Sequence, residues 1–344
     1  MSKVKAKETV NEQIVLRAPD LVTAVKADWD ADQAVCIWGN PGIGKCLGRG
    51  TPVLMFDGTI KPVEDIRVGE QVMGHDSLPR TVIALNKGQE ALYRVIPTKG
   101  ESWVCNESHV LSLKHSGTGR VLNIEVRDYL NQSKSSQIRH KQYRTGVSFA
   151  AHTVNIDPYV LGVWLGDGDS DGPQFTLNNK DQELVTACAA FATTSGVEWR
   201  KNEQRANCAH YSMAQDRTGI PREQPNPITA QLRQYNLLNN KHIPKEFKVN
   251  SSEVRLQVLA GLMDADGHFT TSSCFDYITK HEQLANDVTF VARSLGFAAY
   301  ITPARKSCTV RGEKHEGNYF RVTISGHVDR IPTRVARKQA APRQ

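Results

Sequence analysis

A short pattern written twice constrains this chain more than any other feature. Leu161-Gly162-Val163-Trp164-Leu165-Gly166-Asp167-Gly168 returns, loosely, as Leu259-Ala260-Gly261-Leu262-Met263-Asp264-Ala265-Asp266-Gly267. Each copy follows a helix start. Asp157-Pro158 offers an N-cap and a first-turn proline, and Asn250-Ser251-Ser252-Glu253 offers a cap at Asn250 with a glutamate three residues on. Small residues four apart, Gly162/Gly166 and Gly261/Ala265, share one helical face and let two backbones approach closely. Two such helices can pack about a pseudo-two-fold axis. Asp167 and Asp266 then meet at the C-terminal ends, where the helix dipole favours a cation. Taken singly, the first copy reads equally well as a buried helix ending in an Asp-Gly turn. Two copies 99 residues apart (266 − 167), each followed by a strand-rich segment, argue against that.

Both copies resemble the LAGLIDADG motif of homing endonucleases. The resemblance implies two pseudo-symmetric αβ subdomains acting on double-stranded DNA, with Asp167 and Asp266 as catalytic residues and Mg²⁺ ligands. Carboxylate oxygens suit that ion, which polarises phosphate and activates water. Between the copies, Lys241-x-Ile243-Pro244-x-x-Phe247 resembles the segment preceding the second motif in intein-borne endonucleases. On that likeness Lys241 is a candidate catalytic lysine, the plainer reading being a surface lysine. Residues 208–213, 269–277 and 319–325 are expected to form a saddle on the DNA. The chain carries +7, and from 305 to 343 ten Lys/Arg face three acids, which on charge alone suits a nucleic-acid partner or a solvated basic face equally.

The second organising feature is a junction. Gly39, Gly42, Gly44 and Lys45 have the G-x-x-x-x-G-K spacing of a phosphate-binding loop, in which backbone N–H groups and the lysine cradle phosphates. The hydroxyl residue due next is replaced by Cys46, and the residues after it do not read as a helix. Residues 34–38 form an apolar run feeding the loop, and 34–45 resembles the Walker A segment of AAA+ ATPases. A nucleotide-binding module is interrupted here. With no Walker B carboxylate in view, ATP hydrolysis by this chain alone is not expected.

From Cys46 to about residue 125 the pattern is short strands with turn residues between them, including a two-residue hairpin signal at Asp57-Gly58. Cys46, Thr51-x-Val53, Asp57-Gly58 and Asp65-Ile66-x-x-Gly69-Glu70-x-Val72 resemble the N-terminal splicing motif of inteins. Asn106-Glu107-Ser108-His109 resembles the family's T-x-x-H, with Asn106 where threonine is usual. The likeness implies a β-rich, horseshoe-like Hint fold and a reaction without cofactor. Cys46 attacks the Lys45 carbonyl, His109 protonates the departing nitrogen, and Asn106 polarises the carbonyl or orients the histidine. An unperturbed cysteine, with a pKa of about 8.5, needs such help near neutral pH.

An α+β chain is expected. Its parts are a host segment (1–45), an N-terminal intein splicing domain (46–150), an endonuclease (151–332, as 151–250 and 251–332) and a basic tail (333–344). Residues 114–156 are basic and polar, a solvated connector or an added DNA-contacting arm. No His-Asn pair occurs, so the sequence reads as the N-terminal part of a split or incomplete intein. It is expected to splice with a C-terminal intein–extein fragment in trans and to cut the intein-less ATPase gene. No apolar run is long enough for a bilayer, and no secretory signal is seen. Seven scattered cysteines fit a reducing, cytoplasmic setting and argue against zinc or a disulfide framework. Two other readings stand beside this one. A P-loop ATP-binding protein with a regulatory domain would bind ATP; a decayed element would bind DNA without cutting it.

Overall fold

The computed structural model describes residues 3–8, 34–38, 45–216, 218, 224–310 and 313–342, with side chains of 3–8, 34–38, 45, 308–310 and 313–315 left out of that description. The chain divides into two compact units at residues 144/145.

The first unit holds strands β1 (Lys3–Glu8), β2 (Ala34–Trp38), β3 (Lys45–Leu47), β4 (Pro52–Leu54), β5 (Ile60–Pro62), β6 (Gln71–Met73) and β7 (Pro79–Thr81). β8 (Ala84–Gly88), β9 (Leu92–Ile96), β10 (Trp103–Asn106), β11 (Val110–His115) and β12 (Val121–Glu125) follow. Helices α1 (Val126–Asn131) and α2 (Lys134–Arg139) lead to β13 (His140–Lys141). One sheet runs β1-β9-β10-β3-β2-β8, a second runs β12-β11-β13, and β4-β5 and β6-β7 are separate hairpins. The strand read at 34–38 is present, yet it pairs antiparallel with β3 and β8. Gly39, Gly42 and Gly44 lie outside the described residues.

The hairpin at Asp57-Gly58 closes differently from the two-residue signal. Met55 N–H donates to the Thr59 carbonyl (2.8 Å), leaving three loop residues, and Gly58 takes φ +79°. A glycine in the left-handed region after a type I turn lets a three-residue loop follow strand twist. Two apolar clusters fill the unit. One is Met55, Val63, Ile66 and Val82; the other gathers Val95, Cys105, Leu111, Leu113, Val126 and Tyr129. The last two residues belong to α1, so part of the basic stretch at 114–156 is anchored structure rather than connector. The cysteine reading needs one correction: Cys46 is disulfide-bonded, whereas Cys105, Cys188, Cys208 and Cys274 are free.

The second unit repeats one pattern. α3 (Pro158–Asp167), β14 (Gln174–Asn178), α4 (Gln182–Thr194), β15 (Glu198–Gln204), β16 (Cys208–Ala214) and α5 (Pro227–Gln234) form the first pass. After α6 (Lys245–Lys248), the second pass is α7 (Ser252–Asp266), β17 (His268–Phe269), β18 (Phe275–Thr279), α8 (Glu282–Ser294), β19 (Ala298–Val310) and β20 (Glu313–Ser325). The sheets run β14-β16-β15 and β17-β18-β20-β19. Among the described residues no helix is long and apolar enough to cross a membrane.

Asp157 caps the first repeat helix as its sequence indicates, whereas the second is capped by Ser251, one residue later than the Asn250 that the Glu253 spacing indicated. Asp157 Oδ1 accepts from Val160 N (3.0 Å), and Ser251 Oγ accepts from Val254 N (3.3 Å). Asn250 does other work, with its Oδ1 accepting from Ser251 N and from His152 N. The helices touch through their glycines. A Cβ on Gly162 would strike the Val258 carbonyl and stand 2.7 Å from Leu262 N; one on Gly261 would strike the Tyr159 carbonyl. Only glycine permits that spacing. Below the contact, fully buried Arg255 donates to the Asn250 and Val147 carbonyls (2.9 and 2.8 Å) and to Ser294 Oγ (2.6 Å). These bonds, with Val147 N donating to the Ser294 carbonyl (2.8 Å), strap the chain entering this unit onto α7 and α8.

Candidate active sites

Asp167 and Asp266 are the last residues of α3 and α7, so the glycine-mediated crossing fixes their separation. The Asp167 carboxyl is pushed up to about 7, first by burial and then by the Asp266 charge; partial desolvation raises Asp266 as well, although that residue stays exposed to solvent. The carbonyls at each helix end already have a cation. Lys241 Nζ donates to the carbonyls of Leu165 (3.1 Å) and Gly168 (2.6 Å), and lies 5.3 Å from the Trp164 ring centre. Lys338 Nζ donates to those of Met263 (3.0 Å), Asp264 (2.7 Å) and Ala265 (3.1 Å). Both lysines are buried, which lowers the pKa of each ammonium. Lys241 is therefore no surface lysine. Lys338 stands in the sequence only as one of ten basic residues, and nothing local distinguishes it.

Two carboxylates at one point suit a hard divalent cation that keeps water or takes phosphate oxygens for its remaining ligands. Among the described residues no group of three His, Cys, Asp or Glu forms a protein cage. The donor set thus fits a site completed by substrate. The neighbouring sheets present polar outer faces. His210 Nε2 lies 3.1 Å from Asp169 Oδ2, Ser212 Oγ donates to Asn202 Oδ1 (3.2 Å), and Thr323 Oγ1 donates to Asp276 Oδ1 (2.6 Å). Exposed arginines there are held by glutamates, Arg200 by Glu198 (2.7 Å) and Arg305 by Glu316 (2.5 Å).

In the first unit, β10 pairs antiparallel with β3 and places Cys105 opposite Leu47, with Asn106 and Cys46 the adjoining residues of the two strands. Gly48 allows this approach, since a Cβ there would stand 2.7 Å from Val104 Cβ. His109 is buried, its ring edge-on to Trp103 at 5.2 Å, and its carbonyl accepts from Val126 N (3.0 Å). Asn106 is buried too. Its Nδ2 donates to Glu90 Oε1 (2.8 Å) and Ser108 Oγ (2.6 Å), while the buried Oδ1 has no hydrogen-bond partner among the described residues. Glu90, its carboxyl raised by burial, was invisible in the sequence as a partner for this motif.

Comparison with known proteins adds family matches for the two segments that hold these residues. Residues 46–157 match the Hint family associated with homing endonucleases, and 242–338 match the homing endonuclease family. A replicative DNA helicase DnaB of Mycobacterium intracellulare is 25% identical over 320 residues, 85% of this chain and 48% of the relative. The V-type proton ATPase of Candida tropicalis, in its catalytic subunit, is 46% identical over 50 residues, 14% of this chain and 5% of the relative. The homothallic switching endonuclease of Saccharomyces cerevisiae is 25% identical over 218 residues, 52% of this chain and 37% of the relative. The chain spans about half the length, or less, of these curated relatives. Structures of the homing endonuclease I-DmoI cover 49% of this chain and 87% of theirs, at 13% identity and a TM-score of 0.32. The chain thus joins a segment that matches the Hint family associated with homing endonucleases to one that matches the homing endonuclease family.

Proposed function

We propose that the second unit is a Mg²⁺-dependent endonuclease that cuts both strands of DNA as a monomer. The observation carrying this is the meeting of half-buried Asp167 and exposed Asp266 at a glycine-packed helix crossing, with one buried lysine at each helix end. Asp167 and Asp266 would hold the metal, which when bound supplies Lewis-acid polarisation of the phosphate and a more acidic water. Lys241 and Lys338 keep positive charge beside the carboxylates and offset the charge that develops on the scissile phosphates. The polar sheet faces contact base edges, and arginines now paired with glutamates can exchange them for phosphates. The helicase and ATPase likenesses suggest the target, an intein-less ATPase gene at the codons around Gly44 and Lys45. A plasmid carrying that site should be linearised in Mg²⁺ and left intact in EDTA. Binding without any cutting would favour the decayed-element reading.

For the first unit we propose protein splicing. Reduced Cys46 attacks the Lys45 carbonyl carbon through Sγ, the Lys45–Cys46 C–N bond breaks, and the nitrogen leaves as the Cys46 amine with a proton from His109. A thioester remains. Asn106 has its N–H groups engaged and offers only Oδ1, so its role is to accept a hydrogen bond and orient the junction or His109, not to polarise the carbonyl. A C-terminal intein fragment met in trans would supply the asparagine that completes ligation. The reading sets the protein in a reducing, cytoplasmic environment, and the Cys46 disulfide makes reduction the first requirement. A phosphine should free Sγ without cleaving the chain, and a thiol added afterwards should release residues 1–45 as their thioester. Mass spectrometry reads this directly. Release persisting in Cys46→Ala would remove Cys46 from the mechanism.

A further inference from the structure

Asp264 is a fully buried carboxylate at a position where the first repeat has a leucine. Counting back two residues from each metal-site aspartate gives Asp264 in one helix and Leu165 in the other, both in the core. A buried carboxylate is costly unless well supplied with donors. Those of Asp264 are specific. Tyr159 OH donates to Oδ2 (2.8 Å), Arg334 N to Oδ2 (2.6 Å) and Val335 N to Oδ1 (3.3 Å). The Arg334 guanidinium caps the arrangement, 3.6 Å from the Tyr159 ring centre. Two of the three hydrogen bonds therefore come from the backbone of one short segment.

That segment ends in Lys338. Its ammonium returns to the carbonyl of Asp264 itself (2.7 Å), and Thr333 Oγ1 closes the loop onto the Lys338 carbonyl (3.1 Å). Residues 333–338 are thus tied to the last turn of α7 at both ends. Lys241 reaches its helix by another route. Its approach is fixed by Asn239 N donating to the Ser170 carbonyl (2.6 Å) and by the Trp164 ring. The two halves of the centre are alike in their lysines and unlike in what places them.

We propose that Asp264 is a positioning residue, a latch that places Lys338 at the end of the second repeat helix; this rests on the endonuclease reading. Asp264→Asn keeps the shape but puts an N–H against backbone donors, so the segment loosens and Lys338 moves. Lys241 is untouched. The defect should fall on one DNA strand, because each half of a pseudo-symmetric centre serves one scissile phosphate. A general loss of stability would slow both strands together.

The test uses the full chain and a supercoiled plasmid carrying the intein-less site, with each strand end-labelled after reaction. Asp264→Asn and Lys338→Met should slow cutting of the same strand at least about tenfold and accumulate nicked circles. Lys241→Met should spare that strand and slow the other. The double variant Asp264→Asn/Lys338→Met should be no slower than Lys338→Met alone, since both changes remove one function. Asp264→Leu, which copies Leu165, supplies a second variant, and DNA binding by gel shift reports folding. Equal slowing of both strands, multiplying effects in the double variant, or unfolding of both Asp264 variants would each overturn the latch. If the parent cuts neither strand, the endonuclease reading fails. If Lys338→Met nicks but Asp264→Asn cuts normally, only the latch fails.

Discussion

Asp167→Asn and Asp266→Asn should each abolish DNA cleavage and yet raise the melting temperature of the metal-free protein. Loss of either carboxylate removes metal-dependent stabilisation worth several kcal/mol, so cutting should drop at least about 10²–10³-fold. Binding should hold, because affinity comes from contacts to phosphate and should fall with added salt in parent and variants alike. The stability gain follows from the same electrostatics. Asp167 has its folded pKa raised to about 7, above the usual 3.8, by burial and by Asp266. The native state then binds this proton more tightly than the unfolded chain does. Stability from this group is present in acid and is lost as pH rises from about 4 through about 7. At pH 8 the free carboxylate is a burden of order 2 kcal/mol, which in the second unit is worth roughly 4–8 °C. Melting in EDTA should therefore show Asp167→Asn above the parent at pH 8 and level with it near pH 4. A variant that melts lower at pH 8, or still cuts both strands, would refute the paired, metal-holding arrangement.

Gly261→Ala should be the most damaging single methyl group that can be added to this chain. On an exposed helix the same change is favourable by about 1 kcal/mol. Here the new Cβ would collide with the Tyr159 carbonyl, and backbone cannot turn aside as a side chain can. Overpacking of this kind typically costs 1–3 kcal/mol even against side chains, so about 3 kcal/mol or more, roughly 6–12 °C, is expected. Cleavage should go with it, since forcing α3 from α7 parts Asp167 from Asp266. Gly166 provides the control. A Cβ there would stand 2.6 Å from Ala265 Cβ, a contact between methyl groups. Gly166→Ala should therefore be largely restored by Ala265→Gly, whereas no exchange at a facing side chain should restore Gly261→Ala. Calorimetry of the four variants decides the matter, and tolerance of Gly261→Ala would mean that the helices do not cross at Gly162 and Gly261.

How the chain could be read from its letters follows from the range of each interaction. The repeat helices were legible because caps and small residues four apart act within one or two turns. Asp157 caps as its position indicates, Ser251 caps one residue after the Asn250 expected, and Gly162 and Gly261 meet as their spacing allows. The two residues most exposed to chemistry in the first unit, Cys46 and His109, were legible as family motifs. What surrounds them was not. Glu90 reaches Asn106 across 16 residues, and the hairpin at Gly58 closed on three loop residues where the dipeptide alone signalled two.

The second unit shows the same limit more sharply. Lys338 arrives at α7 from 75 residues beyond Met263, with no periodicity or cap to announce it. Asp264 looks in sequence like one more letter of a repeat, and only the path of residues 333–338 makes it the acceptor for that segment. Sequence by itself determined which helices form and which faces they bury, because turns, caps and helical spacing are local. Tertiary structure decided which distant side chains meet those helix ends, because a buried carboxylate or ammonium takes whatever donor or acceptor the rest of the chain brings to it.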